Sequence, residues 1–242
     1  MKIIDLIFWY SICVNYIATN YEALIMSQEK PPLDPHPLSE YVAWAGSRNR
    51  EPLLGVLKEK LPKDPGNVLE LASGSGMHIN FFAPHFKHLH FHPSDKDREV
   101  FDNIKKLSVD HKNDNIADPV HLDLTDPETW FNAGKPQSFK AIFCINIFQV
   151  APVSIADGMM QCAANLLNDD GFLLIYGPFQ VEGAFTTDSN KVFHETLNSA
   201  GVSEWGLKDV VDLKKAAANH GLELKEQINM PTNNFSLIFG RK

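Results

Sequence analysis

The residues of this chain that could do chemistry stand at the ends of short apolar runs. The first run closes in Glu70-Leu71-Ala72-Ser73-Gly74-Ser75-Gly76. Glycines here allow a tight turn and let the backbone approach a ligand with no Cβ in the way. A dinucleotide fingerprint wants a third glycine three positions after the second, and this chain has Ile79 there. The loop of Ala72, Ser73, Gly74 and Gly76 therefore suits a ligand without phosphate. Glu70 either meets the ammonium end of such a ligand, orients the loop, or is satisfied by backbone amides.

The next runs add to the set. The second ends in His92-Pro93-Ser94-Asp95. A carboxylate about 20 residues beyond a glycine turn can accept hydrogen bonds from both hydroxyls of a ribose. Asp95 can equally cap the helix that follows, opened by Ser94 or by Asp95 itself. The third run ends in Leu122-Asp123-Leu124, a carboxylate to accept from an adenine amino group and an apolar neighbour to cover the ring. Asp126 competes for that role, but Asp126-Pro127-Glu128 reads as a helix start. The fourth run ends in Cys144-Ile145-Asn146, with Asn146 either a floor beneath the reacting group or a buried cap. The fifth ends in Tyr176-Gly177-Pro178-Phe179 and walls a second pocket.

Such residues act together only if a fold brings the run ends to one place. The spacing predicts a helix over 47–61 with Ser47 as N-cap and Leu53, Leu54, Leu57 and Leu61 on one face. Strands are expected over 67–72, 88–92, 120–124, 139–145, 172–176, 222–228 and 234–239. Helices over 153–167 and 207–220, the latter closed by Gly221, fall between them. Asp170-Gly171 reads as a turn, and 177–206 as an excursion with a helix near 190–199. Strands alternating with helices imply a Rossmann-like, mostly parallel sheet of seven strands with helices on both faces. The last two strands share a link too short for a parallel crossover, so they must form an antiparallel hairpin. In an open sheet of this kind ligands bind beyond the carboxyl ends of the strands, where the strand order reverses.

Composition bounds the rest. The chain has 242 residues, 44% hydrophobic and 21% charged, which suits one globular domain. A formal net charge of -8 without a basic run argues against a nucleic-acid groove. Cys13, Cys144 and Cys162 form no CxxC pair, so a reducing, cytoplasmic setting is expected. Cys144 reads as a buried hydrophobe rather than a nucleophile. His78, His85, His88, His90 and His92 lie on different elements and make no metal site. Residues 3–18 are apolar but short and impure for a membrane span. The expectation is that Met26 is the usual start, that 1–40 is an extension with a proline-rich lead-in, and that 41–242 is the working domain. A weak N-terminal anchor or signal is the alternative.

Several stretches now combine. Glu70 to His78, Pro93-Ser94-Asp95, Phe143 to Asn146, Tyr176 to Phe179 and Met230-Pro231-Thr232-Asn233-Asn234 resemble a small methyltransferase-like family whose acceptor is poorly defined. Arg48-Asn49-Arg50-Glu51-Pro52 and Glu204-Trp205-Gly206-Leu207 belong to the same likeness. The resemblance runs from about Tyr41 to the C-terminus. It implies the class I fold and S-adenosylmethionine as cosubstrate; methyl transfer to a small molecule is the expected reaction. It names no acceptor and no catalytic residue. Two departures stand out: Ala72 where class I enzymes often have glycine, and Gln149 where a histidine is expected after the fourth strand. A neutral amide is no general base near pH 7.

Arg48, Tyr176, Asn190, Asn233 and Asn234 are the expected acceptor-side residues beside Gln149. Arg48 can hold a carboxylate or sit in a surface salt bridge. Two other classes compete. A non-catalytic module would bind cofactor or a partner and never turn over. A nicotinamide-dependent oxidoreductase is opposed by the missing third glycine and the terminal hairpin.

Overall fold

The computed structural model describes residues 30–242. The apolar stretch over 3–18 and the start expected at Met26 lie outside the described residues. The chain divides into two units, Met1–Glu51 and Pro52–Lys242.

In the first unit, Ser39 sets the helix start. Its Oγ donates to Asp34 O at 2.7 Å and accepts from Val42 N at 3.1 Å. Helix α1 runs Glu40–Lys60, not from Ser47 as the spacing predicted, and crosses from one unit to the other. Ser47 lies inside it and donates Oγ to Trp44 O at 2.8 Å, the back-bonding open to a mid-helix serine. The late start came from taking Ser47 for the cap that Ser39 provides; Pro52 lies inside α1.

In the second unit, strands β1 (Gly66–Leu71), β2 (Leu89–Asp95), β3 (Val120–His121), β4 (Phe139–Ile145) and β5 (Leu167–Gly177) run parallel. Two short strands, β6 (Gln180–Val181) and β7 (Ala184–Phe185), form a separate hairpin that sequence gave no sign of. Strands β8 (Leu222–Met230) and β9 (Asn234–Arg241) pair antiparallel, as the short link required. The seven-stranded sheet has the order β3-β2-β1-β4-β5-β9-β8, so its direction of winding reverses between β1 and β4.

Alternation along the strands makes two cores. Leu69, Leu71, Ile142, Cys144, Leu173 and Ile175 face helices α4 (Ile155–Leu166) and α6 (Val210–Asn219). Val68, Ala141, Phe143, Leu174 and Tyr176 face Leu53, Leu54 and Leu57 of α1, with Ile79 and Phe82 of helix α2 (Met77–Phe82). Each fully buried leucine or phenylalanine contributes about 1.5–3 kcal/mol. A period of two with both faces apolar gives the near-continuous hydrophobic runs that made these strands legible.

Boundaries differ where loops compete with strands. β3 ends at His121, not Leu124, because Asp123 turns the chain: its Oδ1 accepts from Thr125 N at 2.9 Å and its N donates to Thr129 Oγ1 at 2.9 Å. β2 continues through Pro93 to Asp95, since Pro93 falls between the isolated bridge Phe91↔Ile116 and the β3 register that opens at Ser94↔Val120. Neither Ser94 nor Asp95 opens the next helix. Asp97 caps a short 3-10 turn by accepting from Glu99 N, and α3 (Phe101–Asp110) follows it. The expected Asp170-Gly171 turn lies within β5 as an irregularity in the register with β4. Helix α5 (Asp188–Asn198) sits in the 177–206 excursion, capped by Thr187. Among the described residues no helix is long and apolar enough to cross a membrane.

Candidate functional site

Strands β1 and β2 deliver the first part of the site. The loop after β1 is built from left-handed residues: Ala72 has φ 53°, Gly74 54° and Gly76 76°. A Cβ on Gly76 would lie 2.9 Å from Ile104 Cγ1 of α3, so α3 packs directly on the loop. Ala72 holds a left-handed conformation that glycine adopts freely, at the strain of a side chain with φ positive.

The loop is tied to the end of β2 through both backbone and side chains. Ser73 N donates to Ser94 O at 2.9 Å, and Ser94 N to Ser73 Oγ at 3.1 Å. Ser94 Oγ donates to Glu70 O at 2.7 Å. Asp95 Oδ2 accepts from Gly74 N at 2.8 Å and Oδ1 from Asp97 N at 2.9 Å. Asn103 Nδ2 reaches back to Ser75 O at 2.7 Å. Lys96 and Asn103 were not singled out from sequence, and Ser94 was read as a helix opener rather than as a link between the two strand ends.

Two carboxyl groups are buried here. Glu70 is 2% exposed and its Oε2 has no hydrogen-bond partner. Burial, with the Asp95 charge adding to it against a Ser73 hydrogen bond, raises Glu70 to about 8. Burial also raises Asp95, offset in part by the N–H groups of Asp97 and Gly74. Asp123 differs. Burial pushes it up, but the Lys96 ammonium at 2.8 Å and the Thr125 N–H and hydroxyl outweigh this and hold it at about 2. Leu124 packs in the core, and α4 presses so closely that a Cβ on Gly158 would fall 2.0 Å from Leu124 O.

Strands β4, β5 and β9 deliver the second part. Asn146 turns left-handed with φ 57° just after β4, and its N–H donates to Tyr176 O at 2.8 Å. Gln149 Nε2 donates to Asn146 O at 2.9 Å. Gln149 O accepts from Gly206 N at 2.9 Å, which brings the Glu204–Leu207 stretch to this end of the sheet. Tyr176 is buried and its hydroxyl accepts from Asn234 Nδ2 at 2.8 Å; burial raises its phenol pKa. Asn190 Nδ2 donates to Thr186 Oγ1 and Asn233 O, both at 3.0 Å. This clamps the β8–β9 turn, where Thr232 and Asn233 both have positive φ.

The structure thus joins Glu70, Ala72, Ser73, Gly74, Gly76 and Asp95 in one group, and Asn146, Gln149, Tyr176, Asn190, Asn233 and Asn234 through a second set of hydrogen bonds. Arg48 belongs to the first unit, with its guanidinium 4.9 Å from the centre of the Trp44 ring. Cys144 is buried, and burial drives its thiol upward, away from thiolate. Among the described residues no three His, Cys, Asp or Glu side chains group as a metal site.

Comparison with known proteins follows this geometry. Residues 40–241 match the model of a family described as "Protein of unknown function (DUF938)". Solved structures share the fold. An O-methyltransferase family protein from Burkholderia thailandensis superposes with a TM-score of 0.68 at 16% identity, over 84% of this chain and 59% of that one. An O-methyltransferase family 2 protein from Planctomyces limnophilus, in complex with apigenin, gives 0.66 at 16% identity, over 83% and 60%. CalO1, a methyltransferase of calicheamicin biosynthesis with S-adenosylhomocysteine bound, gives 0.63 at 12%, over 84% and 58%. The chain therefore spans about three-fifths of the length of each of these neighbours.

Proposed function

The chain belongs to the DUF938 family, and from that premise we propose that it transfers the methyl group of S-adenosylmethionine to a small-molecule acceptor. The observation that carries this reading is the Asp95 carboxylate bonded to Gly74 N–H across the tips of β1 and β2, beside an unpaired oxygen of buried Glu70. Parallel strands end here next to the point where the sheet reverses, the usual place for a nucleoside-bearing ligand.

The residues fit the cosubstrate. Each Asp95 oxygen accepts one backbone N–H and keeps a lone pair for a ribose hydroxyl. Glu70 Oε2 lacks a donor, which the ammonium of the methionyl part supplies. Gly74 leaves the loop without a side chain toward the ligand, Gly76 lets α3 pack behind it, and Ala72 and Ser73 complete it. Asp123 and Leu124 take the adenine, and Asn146 lies below the methyl. Gln149, Tyr176, Asn190, Asn233 and Asn234 form the acceptor side. The bound sulfonium supplies an already activated methyl, so the protein contributes chiefly proximity and alignment.

Isothermal titration of S-adenosylmethionine tests this. The wild-type protein should bind, and Asp95→Ala should weaken binding by about 1–3 kcal/mol, the cost of unpaired ribose hydroxyls. No binding by the wild type would sink the reading; binding of NAD instead would favour an oxidoreductase. Binding followed by no transfer to any acceptor in a broad screen would favour a non-catalytic module on the same fold.

A further inference from the structure

Gln149 carries an unmet hydrogen-bonding need. Its Nε2 donates to Asn146 O, and this bond fixes which way the amide faces, because a flipped amide would set two acceptor oxygens against each other. The other end, Oε1, is buried and has no partner. A buried acceptor left so costs about 1–3 kcal/mol and calls for a reason.

What lies around that oxygen narrows the reason. A Cβ placed on Gly177 would lie 3.8 Å from Gln149 Oε1, 3.7 Å from Asn146 Oδ1 and 3.6 Å from the Phe179 ring. Two amide oxygens and a ring edge thus converge on the bare Cα of Gly177, at the end of β5 and one strand beyond the reversal of the sheet. None of the three atoms nearest that position is ionisable. Glu70 and Asp95 stand at the β1–β2 ends, Cys144 is a buried thiol and Tyr176 a buried phenol. His194, brought to this end of the sheet beside Gly206, already uses its Nδ1 to accept from Leu207 N at 3.0 Å.

Resting on the methyltransferase reading, we propose that Gln149 is a positioning residue that receives an N–H of the methyl acceptor beside Gly177, and that the acceptor is a neutral amine nitrogen. An amine can donate N–H groups to amide oxygens and still present its lone pair to the methyl, whereas a hydroxyl would first need a base. The nitrogen lone pair forms the new N–CH3 bond as the C–S bond breaks. The C–S electron pair stays on sulfur, giving the neutral thioether. The positive charge passes to nitrogen, which releases a proton to water.

The test needs no knowledge of the natural acceptor. Sinefungin carries a carbon-borne amino group where S-adenosylmethionine carries its methyl, so it presents N–H donors at the reacting point. Calorimetric dissociation constants for sinefungin and S-adenosylhomocysteine are compared in wild type, Gln149→Leu and Gln149→Glu. Taking the ratio within each protein cancels any general loosening of the fold. Wild type should favour sinefungin by about 10-fold or more, the worth of a hydrogen bond to a charged group. Gln149→Leu should bring the ratio to about 1–2, and Gln149→Glu should hold or raise it. A wild-type ratio near unity, or a preference that survives Gln149→Leu, overturns the inference while leaving the methyltransferase reading in place. Failure of S-adenosylhomocysteine itself to bind the wild type overturns that reading instead.

Discussion

The two banks of the candidate site are built on different principles. On the β1–β2 bank, backbone does the positioning. Main-chain N–H groups of Ser73, Gly74 and Ser94 donate to Ser94 O, Asp95 Oδ2 and Ser73 Oγ, three residues hold positive φ, and two carboxyl groups are buried at the strand ends. On the β4–β5–β9 bank, neutral side chains do it: the amides of Gln149, Asn190 and Asn234, and the Tyr176 phenol. The contrast teaches which side of the site can vary. A part held by backbone tolerates almost no substitution, while a part held by uncharged side chains can be re-specified residue by residue without rebuilding the loop.

The largest effect should come from breaking the backbone bank. Gly76→Ala combines a φ of 76° with a Cβ 2.9 Å from Ile104 Cγ1 and 3.1 Å from Ile104 Cα. The strain and overpacking together should lower unfolding stability by about 2–4 kcal/mol, read by chemical denaturation. An unchanged midpoint would mean that the loop is far softer than its hydrogen bonds imply.

A second effect separates the banks by pH. Glu70 has its ordinary carboxyl value near 4.5 unfolded and about 8 folded, so the folded protein favours the protonated form. Its contribution to stability is complete below pH 4.5 and declines as pH rises through 8. Thermal midpoints of the wild type should therefore fall across that window relative to Glu70→Gln, in which the decline is absent. Parallel curves for the two proteins would show that the buried carboxyl is not what titrates.

The smallest effect tests the strain at Ala72. Glycine relieves the left-handed conformation but adds freedom to the unfolded chain, so Ala72→Gly should stabilise by less than about 1 kcal/mol. A loss of stability would show that the Ala72 methyl packs more usefully than its backbone suffers.

Legibility followed the physics of each element. The strand over 139–145 was read to the residue because both its faces are buried, and an apolar run bounded by polar residues has one interpretation. The start of α1 was missed because two serines, Ser39 and Ser47, are each chemically able to cap, and only the Asp34 carbonyl and the Val42 N–H distinguish them. Asp95 was given the choice between ribose and cap; Asp97 takes the cap, and Asp95 binds Gly74 N and Asp97 N.

What the chain determined alone was the order of its elements, the antiparallel close and the residue types at each strand end, since these depend on periodicity and on links between neighbours. Tertiary structure alone decided that Asn190 would reach Asn233, that Asn234 would meet Tyr176, and that Gln149 would leave an oxygen unpaired near Gly177. Such pairs are tens of residues apart along the chain, and a hydrogen bond is selective over tenths of an ångström, a scale that only packed strands and helices set.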